Sequence, residues 1–135
     1  MEGVKTISIK ILIVDDNEYI LEEASEALVD VGYECFVASS VDAAVEIVET
    51  TPGIILILTD LKMPGKTGID LINIVETKFE ENIKIVIMSG HASTGVVGGE
   101  RSIASYSFLK KPLDIQLLTK TVASVLAGGG SATQG

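Results

Sequence analysis

Short aliphatic runs alternate along this chain with segments whose apolar residues recur at helical spacing. Residues 7–14 (ISIKILIV) are apolar at most positions and do not alternate with polar residues beyond Lys10, a pattern that predicts a strand buried on both faces. Asn17 follows as a helix N-cap. Ile20, Ala24, Ala27, Leu28 and Val31 then keep helical period up to Gly32, where a helix end accepts a left-handed residue. Residues 34–38 read as a short strand, and Ser39-x-x-Asp42 as a capping signal ahead of Val41, Ala44, Val45 and Val48. Pro52-Gly53 breaks the chain before a third strand, 54–59, that runs into Asp60. Thr67-x-x-Asp70 opens a third helix with Leu71, Ile72, Val75 and Phe79 on one side, and 83–88 is a fourth strand.

After Ser89 the pattern weakens. Residues 90–107 hold four glycines, and a glycine costs about 1 kcal/mol relative to alanine inside a helix. A fourth helix over 93–104 should therefore be short or mobile. Phe108-Leu109 is a brief fifth strand, stopped by Pro112. Asp114 caps a final helix whose apolar face is Leu117, Leu118, Val122, Val125 and Leu126, with Leu113 and Leu118 placed as a hydrophobic staple. Residues 1–127 read as one domain, and 128–135 as a flexible tail or the stump of a linker. Strands separated by helices imply right-handed crossovers. The expected fold is α/β: a doubly wound five-stranded parallel sheet with helices on both faces.

Composition narrows the function. The chain has 135 residues, and ten Lys+Arg against 19 Asp+Glu leave a formal charge of −9. That balance argues against gripping a phosphate backbone, so no nucleic-acid partner is expected. Cys35, the single cysteine, fits a reducing compartment, no apolar run approaches the length of a bilayer span, and residues 1–10 lack a signal-peptide core. A cytoplasmic protein without a membrane partner is the expectation.

In an open parallel α/β sheet, ligands bind outside the carboxyl ends of the strands. The conspicuous polar residues all fall there: Asp15 and Asp16 after the first strand, Asp60 after the third, Ser89 after the fourth and Lys111 after the fifth. Singly, each has a bland reading, such as helix cap, turn residue or solvated amine. Together they describe a reaction centre. Carboxylates about 5 Å apart repel by roughly 3 kcal/mol per pair at an effective dielectric near 20, so such a cluster recruits cations. Oxygen ligands suit Mg²⁺, and no Cys/His cluster suggests zinc. A lysine, a hydroxyl and a divalent ion around a carboxylate are what a transferring phosphoryl group needs. Asp60 would then be the nucleophile, forming an aspartyl phosphate.

These residues resemble the receiver domain of two-component response regulators, the CheY-like superfamily. The resemblance covers about residues 9–126 and rests on I-L-I-V-D-D-N, L-T-D-L-K-M-P-G-K-T-G, I-V-I-M-S-G-H and F-L-K-K-P-L. It implies the flavodoxin-like strand order 2-1-3-4-5. It implies Asp60 as phosphoacceptor, with Ser89 and Lys111 as its catalytic partners, and Mg²⁺ held by Asp15, Asp16, Asp60 and the carbonyl of Lys62. Ser89 and Phe108 correspond to the switch pair, and the Lys111-Pro112 bond is expected to be cis. Lys110 does not match the family lysine and should face elsewhere. Implied partners are a sensor histidine kinase or phosphotransfer protein and a downstream output domain or target. A homodimer through the face of the fourth helix, fifth strand and final helix is a further implied assembly. The domain is expected to catalyse its own phosphorylation and slow dephosphorylation, not to turn over a separate substrate. The sequence departs from the family pattern over 93–104 and at Ala104-Ser105-Tyr106-Ser107, where an Ala-Gly turn is usual. Lys62 and His91 occupy positions that tune phosphoryl lifetime in the family, and His91 reads as an exposed loop residue.

Two other readings stand beside this one. An aspartate-nucleophile phosphatase usually carries an acid two residues after its nucleophile, where this chain has Lys62. A phosphorylation-independent receiver-like interaction module would normally lack one of the pocket residues. A flavin or dinucleotide site is excluded, because Asp15-Asp16-Asn17 replaces the glycine-rich loop after the first strand.

Overall fold

In the computed structural model, residues 8–79, 83–90, 96–97, 101–102 and 106–128 are described. The chain runs β1 (Lys10–Val14), α1 (Glu18–Asp30), β2 (Glu34–Ala38), α2 (Val41–Thr50), β3 (Ile54–Asp60), α3 (Gly68–Lys78), β4 (Lys84–Ser89), β5 (Val96–Val97), β6 (Arg101–Ser102), β7 (Ser107–Lys110) and α4 (Ile115–Leu126). Five strands form a parallel sheet in the order β2-β1-β3-β4-β7, so the strand order implied by the resemblance holds.

Strand periodicity divides the core into two layers. Leu12, Val14, Ile57, Ile85 and Ile87 face α2 and α3, where Val41, Ala44, Leu71, Ile72 and Val75 meet them. Ile11, Ile13, Leu56, Leu58, Val86, Met88 and Leu109 face the opposite way, onto Leu21, Ala24 and Leu28 of α1 and Leu118, Val122 and Val125 of α4. Burial of each valine, leucine, isoleucine or methionine side chain among them stabilises the fold by about 1.5–3 kcal/mol. Both faces of β1 and β3 are covered, which is why their sequences are continuous aliphatic runs. Among the described residues no helix is long and apolar enough to cross a membrane.

The helix starts follow the capping signals. Asn17 accepts a hydrogen bond from the Tyr19 N–H at 2.9 Å. Thr67 and Asp70 form a reciprocal capping box, Thr67 N–H donating to Asp70 Oδ2 at 2.9 Å and Asp70 N–H to Thr67 Oγ1 at 3.3 Å. Asp114 accepts from the Leu117 N–H at 3.1 Å. Gly32, just past α1, takes φ 107°.

Four expectations need correction. The cap of α2 is Ser40, whose Oγ accepts from the Ala43 N–H at 3.1 Å, not Ser39. Val31 is the C-cap of α1 and 56% exposed, because the chain has left the helical path before its side chain reaches the sheet. Leu117 is 48% exposed, since the buried stripe Leu118, Val122, Val125 excludes a residue one position earlier. The helix over 93–104 is not seen: within it Val96–Val97 and Arg101–Ser102 pair antiparallel, and the rest of the span lies outside the described residues. Adjacent β-branched valines beside Gly98-Gly99 favour an extended pair over a helix. Residues 129–135 of the expected tail also lie outside the described residues.

Gly68 is where the fold meets the site. A Cβ there would collide with the carbonyl oxygen of Asp60 and stand 2.9 Å from Leu61 Cα. The missing side chain lets α3 start directly against the end of β3, with the Gly68 N–H donating to the Leu61 carbonyl at 3.0 Å. Gly65, in the same loop, has φ 79° but open space around a Cβ. Gly68→Ala should therefore lower stability by about 2–4 kcal/mol by forcing backbone apart, and Gly65→Ala by about 1 kcal/mol through conformational strain alone. Urea midpoints at unchanged slope measure both; equal losses would contradict the close-approach argument.

Candidate functional site

Because the five strands are parallel, the residues ending β1, β3, β4 and β7 arrive at one edge. The chain turns from β2-β1 on one side to β3-β4-β7 on the other, so the crevice between β1 and β3 is the topological switch point where such sheets bind ligands. Asp15 follows β1, with its N–H donating to the Ala38 carbonyl at 3.1 Å. Asp60 is the last residue of β3 and Ser89 the last of β4. Lys111 follows β7, with its backbone N–H donating to the Ser89 carbonyl at 2.8 Å. The Lys111-Pro112 peptide is cis, as the resemblance implied.

The structure brings the expected residues together. Lys111 Nζ lies 2.7 Å from Asp15 Oδ2 and 3.2 Å from Asp60 Oδ2. Carboxylate oxygens of Asp15, Asp16 and Asp60 all fall within 4.8 Å of one another. Asp15, Asp60 and Ser89 are buried, whereas Asp16 is exposed and opens the cluster to solvent. Asp60 Oδ1 has a long 3.4 Å hydrogen bond from the Lys62 N–H. Lys62 and Lys110 are exposed, the latter paired opposite Ser89 in the sheet and away from the acids' lysine. Phe108 is half-buried and packs into the core layer of α2 and α3. His91 lies outside the described residues.

Burial raises the pKa of Asp15 above its ordinary 3.8; its hydrogen bonds with Lys111 and the Asn17 N–H pull the other way, and the charge of Asp60 adds to the rise. For Lys111 burial lowers the pKa, but hydrogen bonding and attraction from Asp15 and Asp60 together outweigh it and hold the ammonium above 10.5. Asp15 Oδ1 accepts from the Asn17 N–H at 2.9 Å. Oδ2 faces the Lys111 ammonium at 2.7 Å and has no further polar partner among the described residues. Three carboxylates offering oxygens within 4.8 Å of one another fit a hard cation bound through oxygen.

Two features of the site were not read from the sequence. Thr59, buried within an otherwise aliphatic strand, donates its hydroxyl to the Asp60 carbonyl at 2.9 Å. A lone threonine before the acid was the available signal. The contact of Gly68 with Asp60 joins residues eight apart in a loop without regular structure, so no periodicity announces it.

Comparison with known proteins places this geometry. The response regulator receiver domain family matches residues 11–123. Sporulation initiation phosphotransferase F of Bacillus subtilis is 31% identical over 117 residues, covering 87% of this chain and 93% of that protein. The chemotaxis protein CheY of Treponema pallidum is 28% identical over 119 residues, covering 87% and 82% respectively. The solved chemotaxis response regulator CheY4 of Vibrio cholerae superposes with a TM-score of 0.76 at 26% identity, covering 88% of this chain and 99% of that one. With the sheet order, the acid edge and these likenesses in agreement, the chain belongs to the CheY-like receiver domains of two-component response regulators.

Proposed function

We propose that Asp60 accepts a phosphoryl group from the phosphohistidine of a sensor kinase or phosphotransfer protein, in a Mg²⁺-dependent reaction, and that the acylphosphate switches a protein-binding face. The observation that carries this reading is the Lys111 ammonium, 2.7 Å from Asp15 and 3.2 Å from Asp60, beside a third acid. Asp15, Asp16, Asp60 and the Lys62 carbonyl would hold the ion, which when bound supplies positive charge to the phosphoryl oxygens. Lys111 occupies Asp60 Oδ2, so Oδ1, with its 3.4 Å hydrogen bond, is the freer nucleophile. It attacks phosphorus as the P–N bond of the donor breaks, the bonding pair staying on the imidazole nitrogen. Lys111 and the Ser89 hydroxyl then bind phosphoryl oxygens. Drawing Ser89 inward frees space for Phe108, shifting the population between two packings of β7 and its surroundings.

Lys62 stands where a phosphatase would place its general acid. Hydrolysis is therefore slow and no separate substrate is turned over. We take residues 1–127 as the receiver and 128–135 as a flexible extension. The domain works in the cytoplasm with a kinase or phosphotransfer donor and an output partner, and pairs with a second copy through the face around β7 and α4.

Incubation with acetyl phosphate and Mg²⁺, followed by intact-mass measurement, should show a single added phosphate that Asp60→Asn abolishes. Release of many equivalents of phosphate would instead establish a phosphatase, and no adduct an interaction module.

The raised pKa of Asp15 gives a second prediction. A folded acid that holds its proton more tightly than the unfolded chain contributes stability below 3.8, and that contribution is lost as pH rises through the folded value. Lys111 contributes below 10.5 and loses its share only above that, outside this window. At neutral pH without divalent ions, Asp15→Asn, which removes the repulsion with Asp60 and leaves Lys111 paired to Asp60, should therefore stabilise the protein, by on the order of 1 kcal/mol. The gain should fade as pH falls through the folded pKa of Asp15, and Mg²⁺ should no longer raise the melting temperature. Thermal melts from pH 4 to 8, with and without Mg²⁺, decide it; a destabilised variant at pH 7 would refute it.

A further inference from the structure

The switch strand of this chain is lightly held. β7 has four residues, lies at the sheet edge and pairs only with β4 within the sheet, yet it carries Phe108 and leads directly to Lys111. One residue before it, Tyr106 is half-buried against the same core layer as Phe108, and its hydroxyl donates to Glu76 Oε2 at 2.6 Å. Glu76 lies near the end of α3, whose first residue, Gly68, abuts the carbonyl of Asp60. The helix is thus a strut of about 12 Å between these two residues. One end rests on the acceptor strand and the other is tied to the entrance of the switch strand.

We propose that Tyr106 is a positioning residue: its hydrogen bond to Glu76 holds the entrance of β7 against α3 in the unphosphorylated packing and so restrains the inward movement of Phe108. The inference rests on the reading of Asp60 as phosphoacceptor. Tyr106 touches neither the acids nor Lys111 in the contacts described, so its effect on phosphorylation runs through Phe108 and β7. Because the bond is made in the resting arrangement, its loss favours the alternative packing, in which Ser89 is recruited and the phosphoryl group held.

The experiment uses the full chain with acetyl phosphate and saturating Mg²⁺, reading initial rates of adduct formation by intact mass and folding by urea unfolding. Tyr106→Phe, which removes only the hydroxyl, should raise the limiting rate about three- to tenfold. The half-saturating acetyl phosphate concentration should not move, because the pocket is untouched. Glu76→Gln keeps an acceptor and should stay near the wild type. Glu76 and Tyr106 make further interactions, so Glu76→Ala serves as background: adding Tyr106→Phe to it should change nothing more. A merely structural tie would lower the urea midpoint and leave the rate unchanged. An unchanged or slower Tyr106→Phe rate, or an independent effect in the Glu76→Ala background, overturns the inference alone. A wild type that takes no phosphate overturns the Asp60 reading, and this one with it.

Discussion

Lys111 holds its ammonium between two acids, and the repulsion among the carboxylates around it is the constraint the sheet edge has to meet. Three carboxylates within 4.8 Å face one ammonium, which leaves two negative charges unbalanced (three minus one). At this separation an uncompensated pair costs roughly 3 kcal/mol at an effective dielectric near 20, a sizeable fraction of the 5–15 kcal/mol typical of a whole domain. The fold tolerates the repulsion because the acids stand on its best-buried elements. Ile11 to Val14 and Leu56 to Leu58 are fully buried, and the strands they form are clamped by neighbours on both sides. One lysine leaves the charge balance incomplete.

Placement of the reacting groups is inherited from the backbone. Parallel strands bring Asp15, Asp60, Ser89 and Lys111 to one edge, and each is then fixed by a local contact. Asp15 is held through its own N–H to Ala38, Asp60 by the Thr59 hydroxyl on its carbonyl, and Lys111 by its N–H on the Ser89 carbonyl. Leu61 and Met63 bury their side chains in the core, so the loop after the acceptor is anchored although Lys62, between them, faces solvent. Positioning of this kind is what phosphoryl transfer asks of a protein, since the chemistry itself needs little beyond alignment and charge.

The parts legible in the sequence are those governed by local rules. Continuous aliphatic runs mark strands covered on both faces, and Asn17, Thr67 and Asp114 announce helix starts because a side-chain acceptor there satisfies free backbone donors. Position in the site follows from strand ends, so Asp15, Asp16, Asp60 and Lys111 were readable together. What escaped depends on three-dimensional fit. Val31 and Leu117 are apolar and close to the right spacing, yet each misses the packed stripe by about one position. Leu21, buried at 8%, lies where the helix axis turns it inward, one residue from the expected Ile20. Between Lys10 and Ile11 the register of β1 against β3 shifts, leaving Ile55 39% exposed within an aliphatic run that signals only burial. Gly68 and the Tyr106–Glu76 pair are contacts between distant residues, invisible to any periodicity.

The acid edge is gathered for a topological reason. Among the described residues, the groups at the acid edge are supplied by the ends of β1, β3, β4 and β7. In the layer shared by Phe108, Tyr106 and α3, Tyr106 reaches Glu76 directly. Through this bond α3 is tied to the residue that precedes β7. Asp60 and Tyr106 are thus joined by one helix, which lies against Asp60 at Gly68 and is tied to Tyr106 two turns later.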